Sequence, residues 1–150
     1  MESKFQSSKA IKFPALSFNA GWLNAVDSMN RMTRSSKQGL KKELYKGTVL
    51  VDSGGNRFRV VGAEKVRTLV DGFGSLIGLL TGNPSLQIEL TISSTGEVSL
   101  EEVKDLISDS FKKKEDYWEE MTSFEDFRDT IAAASSLEQV FAAFKRFHLL

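Results

Sequence analysis

Pro84-Ser85-Leu86-Gln87-Ile88-Glu89-Leu90-Thr91-Ile92, running on into Ser93-Ser94-Thr95-Gly96-Glu97-Val98-Ser99-Leu100-Glu101-Glu102-Val103, is the passage that decides the fold. Leu86, Ile88, Leu90 and Ile92 alternate with Gln87, Glu89 and Thr91, the period-two pattern of a strand with one apolar face. Ser93 to Gly96 then reads as a turn. Ser99 opens a helix: its hydroxyl can accept from the Glu102 amide, Glu102 can reach back, and Val98 can staple onto Val103. At 100° per residue, Val103, Leu106, Ile107, Phe111, Tyr117 and Trp118 share one side of a helix of roughly five turns. That side is expected to pack on Leu86, Ile88, Leu90 and Ile92.

Downstream, Ser123-Phe124-Glu125-Asp126 precedes Phe127 and Ile131, and Ser136-Leu137-Glu138-Gln139 precedes Val140, Phe141, Phe144 and Phe147. Both repeat the capping signature and predict two further helices. Upstream, Asp52-Ser53-Gly54-Gly55-Asn56 lies between Thr48–Val51 and Arg57–Val61, which predicts a β-hairpin. Phe58 and Val60 take one face of it, Arg57 and Arg59 the other. Ile11, Phe13 and Ala15 alternate around Pro14, which confines that strand to an edge. Asn19 is placed to cap a helix carrying Trp22, Val26 and Met29. Leu69, Phe73, Leu76, Ile77 and Leu80 suit a buried helix. Gly72, Gly74, Gly78 and Gly82 suit close packing of that helix on the sheet, although each interior glycine costs about 1 kcal/mol against alanine.

Strands concentrated in the first two thirds and helices at the end define an α+β chain. The expected form is an antiparallel sheet of three to five strands with helices packed on one face and three helices at the C-terminal end. One domain over 1–150 is expected, with 1–9 disordered.

Hydrophobic residues make up 41% and charged residues 27% of the chain, ordinary for a globular domain. With no cysteine and a single histidine, His148, thiolate chemistry is excluded and neither a zinc site nor a Ser–His–acid triad is supported. The glycines of 72–78 miss the dinucleotide spacing and no P-loop is present, so no cofactor is expected. The N-terminus lacks the apolar core of a signal peptide and no apolar run reaches the roughly 18 residues of a membrane span. A cytoplasmic protein without a membrane partner is the expectation.

The formal net charge of zero conceals an asymmetry. Residues 1–68 hold 13 Lys/Arg and 5 Asp/Glu, whereas residues 97–150 hold 7 and 13. Two charged surfaces are candidate sites. Glu102, Asp105, Asp109, Asp116 and Glu120 cluster within about 60° on the helix opened by Ser99, a surface suited to a basic protein partner. Arg31, Arg34, Lys37, Lys41 and Lys42 form an alternative basic patch. Phosphate contacts would suit it, but without stacking aromatics or a recognition helix nucleic-acid binding is the weaker reading.

The sequence therefore points to a non-enzymatic protein-binding module, for which an immunity protein neutralising a toxin is the concrete instance. The alternatives are a carrier of small apolar ligands, with a pocket between the glycine-rich segment and the sheet, and an enzyme built on carboxylates alone.

Overall fold

The structure, a computed structural model, describes residues 5–7 and 10–150. Its strands are β1 (Phe5–Ser7), β2 (Ala15–Asn19), β3 (Trp22–Val26), β4 (Arg34–Ser36), β5 (Val49–Asp52), β6 (Asn56–Thr68) and β7 (Ser85–Glu97). The helices are α1 (Met29–Met32), α2 (Lys37–Lys41), α3 (Phe73–Leu80), α4 (Leu100–Lys113), α5 (Glu115–Glu119), α6 (Phe124–Ala133) and α7 (Leu137–Arg146). The α+β class is as expected, but among the described residues seven strands replace the expected three to five. They form one antiparallel sheet in the order β1-β7-β6-β5-β2-β3, and β4 pairs with β7 as well. The extra strands come from short segments: Phe5–Ser7, inside a stretch expected to be disordered, pairs with Thr91–Ser93. The remainder of that stretch, 1–4 and 8–9, lies outside the described residues.

Three local readings change. Trp22–Val26 is a strand, not a helix, because Leu23 and Ala25 point inward while Trp22 and Asn24 point out. Ala20 and Gly21 both adopt positive φ, 50° and 87°, which is the two-residue hairpin turn that joins antiparallel strands. Pro14 precedes β2, and β2 lies inside the sheet between β3 and β5 rather than at an edge. β7 runs through the expected turn to Glu97 because β6 pairs with it along its length, from Asn56↔Glu97 to Thr68↔Leu86.

The pleat of the sheet divides the apolar side chains between two cores. Leu16, Phe18, Leu23, Ala25 and Val51 face Val103, Ile107, Phe111, Trp118, Phe127, Ile131, Val140 and Phe144 of the C-terminal helices. Leu50, Phe58, Val60, Leu86, Ile88, Leu90 and Ile92 face the other way, over Ile11 and Ala15. Met32, Leu40 and Tyr45, from the excursion that carries α1, β4 and α2, pack against this second core. The sheet is thus covered on both sides. Leu86 to Ile92 do not meet Leu106, Ile107 and Phe111, as the sequence suggested; they line the opposite face.

The C-terminal layer follows from its caps. Ser99 accepts a hydrogen bond from the Glu102 amide at 3.2 Å and Ser136 one from the Gln139 amide at 3.2 Å, whereas Ser123 makes no such bond. The helix after Ser99 does not run unbroken to Trp118. Lys114, at φ −125° and ψ 42°, ends α4, and α5 restarts beside it. Asp52 joins the hairpin to the rest of the chain: it is fully buried and accepts from the amides of Lys12, Gly54 and Asn56.

The division into two cores can be measured. Leu90→Ala should cost about 2–5 kcal/mol in urea unfolding. Combined with Ile107→Ala, the losses should add to within about 0.5 kcal/mol, because the two side chains occupy different cores. A coupling above about 1 kcal/mol would place them in one core.

Candidate functional site

α3 is mounted the wrong way round for a helix of a globular domain. Phe73 and Leu80 are 78% and 80% exposed, Leu76 and Ile77 50% and 44%, whereas Ser75 is 2% exposed. At 100° per residue the four apolar side chains fall within about 100° of one another, with Ser75 and Gly78 on the opposite side. The helix turns these four large side chains to solvent and Ser75 to the protein; Gly74 and Leu79 are exposed as well.

The inward face explains why. Asp71 and Ser75 form a hydrogen-bonded network with Arg34 of β4: the guanidinium donates to both Asp71 oxygens, at 2.8 and 3.1 Å, and to Ser75 Oγ at 2.8 Å. Ser75 in turn donates to Asp71 at 3.0 Å. This bidentate geometry fixes the start of α3 on β4, and it holds the Asp71 carboxyl below its ordinary value. At the other end the chain reverses through Gly82, at φ 77°. The Asn83 amide donates to Gly78 O at 2.9 Å and the Gly82 amide to Leu79 O at 3.4 Å, the paired bonds of a Schellman ending. A Cβ on Gly78 would sit 2.6 Å from the Asn83 carbonyl oxygen, so only glycine fits there. Gly72, Gly74 and Gly82 have no such neighbour, and the close neighbours of Gly78 are Asn83 and Pro84 of the helix's own C-terminal reversal rather than a strand; the expected close packing of these glycines on the sheet is not found. The helix is not buried.

β6 and β7 carry this helix away from the helical layer. β5 pairs with β6 only over Arg57–Arg59, and β6 continues to Thr68, roughly 25 Å of strand beyond Val60. Val66 and Val70 are exposed along the approach to α3. Together with Val70, the α3 side chains expose on the order of 600 Å² of apolar surface, the upper end of the roughly 300–600 Å² found for the largest patch on a typical monomer. No charged residue occurs from Gly72 to Ile88.

The charged candidates are placed differently from expectation. Glu102, Asp105 and Asp109 line one wall of a groove of about 570 Å³, with Arg57 and Arg59 of β6 on the other and Leu106 and Phe58 between. Arg57 lies 3.4 Å from Glu102, and Lys113 3.2 Å from Asp109, so part of that charge is met within the chain. The break at Lys114 separates Asp116 and Glu120 from this wall. Asp116 instead joins Glu115 and Glu119, and the Glu115 carboxyl raises the Glu119 carboxyl above its ordinary value.

The basic set lies on the excursion along β7. Arg31 is 3.7 Å from Asp27 and Arg34 is committed to Asp71. Lys37, Lys41 and Lys42, on or beside α2, form no ion pair among the described residues. Among those residues no group of three or more His, Asp or Glu is arranged to hold a metal ion, and no helix is long and apolar enough to cross a membrane.

The network at the base of α3 has a defined pH response. Because the Asp71 carboxyl is held below 3.8, its anchoring is present above that value and is lost as pH falls through the folded one. Amide protection of α3, corrected for intrinsic exchange, should fall at acid pH in the native chain. Asp71→Asn should lower it at neutral pH; unchanged protection in that variant would show that the network does not anchor α3. The chain matches no protein-family model, no curated protein and no solved structure.

Proposed function

We propose that the chain is a non-enzymatic protein-binding module, and that its docking surface is the outward face of α3 formed by Phe73, Leu76, Ile77 and Leu80. The observation that carries this reading is the inverted helix. Exposing a contiguous apolar face costs solvation free energy at roughly 25 cal/mol per Å². Here that face is held in place by a dedicated hydrogen-bond network and a glycine-dependent ending. Such a face is the ordinary signature of a surface that another polypeptide covers.

An immunity protein that neutralises a toxin by occluding it is one instance of such a module, and a cysteine-free chain suits the reducing cytoplasm in which it would act. The acidic wall of α4 is a secondary contact in this reading, because Arg57 and Lys113 already meet part of its charge. A basic partner would gain association rate there more than affinity.

Replacing Phe73 with the photo-crosslinking residue p-benzoylphenylalanine, in cells that make the chain, should yield a covalent adduct to a defined polypeptide. The same residue in place of Tyr117, exposed on α5, should not yield that adduct. The double variant Phe73→Asp, Leu80→Asp should keep the native melting temperature and lose the partner at least tenfold in affinity. A position-73 probe that captures no protein would refute the reading.

A further inference from the structure

We propose that the polypeptide covering α3 is a second copy of this chain, with the two α3 helices packed face to face about a twofold axis. This rests on the reading of α3 as a protein-docking face and adds the identity of the occupant.

Three observations favour a like partner. The first is the pattern: Phe73, Leu76, Ile77 and Leu80 stand at i, i+3, i+4 and i+7, the stripe by which one helix packs against another. A face of this kind is self-complementary under a twofold rotation, the commonest symmetry of soluble oligomers.

The second is charge. From Gly72 to Ile88 there is no charged residue, and the flanking Asp71 is already paired with Arg34 at 2.8 Å. Two such faces meet without like charges opposed, whereas a strongly basic or acidic partner would find nothing on this face to recognise. The formal net charge of zero likewise leaves two copies free of long-range repulsion.

The third is area. Burying Phe73, Leu76, Ile77 and Leu80 against their copies removes at most on the order of 1,000 Å² in total, the size of a weak, reversible interface. The anchoring of α3 through Arg34, Asp71, Ser75 and Gly78 presents that face already formed, so association need not order the helix first.

Analytical ultracentrifugation of the intact chain tests this between about 1 and 200 µM, with a dissociation constant of about 1–100 µM expected of an interface at the lower end of the size range. Phe73→Asp and Leu80→Asp should each leave only monomer across that range, with unchanged far-ultraviolet circular dichroism. Tyr117→Ser, which removes an exposed aromatic elsewhere, should leave the dimer intact. Raising salt from about 0.05 to 0.5 M should not weaken an apolar interface.

A dimer insensitive to Phe73→Asp and Leu80→Asp, or one dissolved by salt, would overturn the proposal. So would a wild-type chain that is monomeric at 200 µM. In that last case the position-73 crosslink separates the two ideas: an adduct to a different polypeptide retains the docking face and discards the second copy, and no adduct discards both.

Discussion

A β-strand sends successive side chains to opposite sides, and in this sheet both sides are buried. That constraint organises the molecule. On β5, Val51 and Leu50 are neighbours in sequence yet belong to different cores, one beneath α4 to α7 and the other beneath the excursion that carries α1, β4 and α2. A sheet covered on both faces needs two separate layers of chain. The C-terminal helices supply one, and the segment between β3 and β5 supplies the other. The longest strands, β6 and β7, then extend past β5, and their far end carries α3 clear of the helical layer.

At that end the ordinary rule of burial is reversed by polar geometry. Arg34 reaches Asp71 and Ser75 from β4, which pairs with the beginning of β7. The network can be satisfied only with Ser75 turned inward, and Ser75 inward forces Phe73, Leu76, Ile77 and Leu80 outward. The helix's own ending adds a steric limit: a Cβ at position 78 would strike the Asn83 carbonyl. Orientation is therefore set by four hydrogen bonds and one steric limit against the hydrophobic preference of four large side chains. Such a conflict between local polarity and burial is the pattern expected at a functional surface.

The α+β class, the hairpin at Asp52–Asn56 and the caps at Ser99 and Ser136 were legible, because turn chemistry and capping act over a few residues. Leu86, Ile88, Leu90 and Ile92 announced a strand with one buried face but not which core it faced, since alternation is the same for either side of a sheet. Trp22, Val26 and Met29 mimicked helical spacing while Leu23 and Ala25 carried the true period of two, and the Ala20-Gly21 turn lacks the Asn-Gly or Asp-Gly signal that would have marked it. In α3 the sequence holds no charge to mark a solvent face. Large apolar side chains by themselves point to burial, and only Ser75 and Gly78, three apart, mark the side that meets backbone. The acidic surface needed one continuous helix to align its five carboxylates, and the break at Lys114 divides it.

Everything proposed for the surface depends on α3 facing outward with its apolar side. Hydroxyl-radical footprinting of the chain at sub-micromolar concentration, below the expected range of self-association, reads side-chain exposure directly. Phe73, Leu76, Ile77 and Leu80 should react at rates comparable to exposed Val66 and Val70, and far faster than buried Ile107, Phe111 and Phe127. Phe73 and Leu80 as unreactive as Phe111 would mean that α3 turns inward, and the docking surface would not exist.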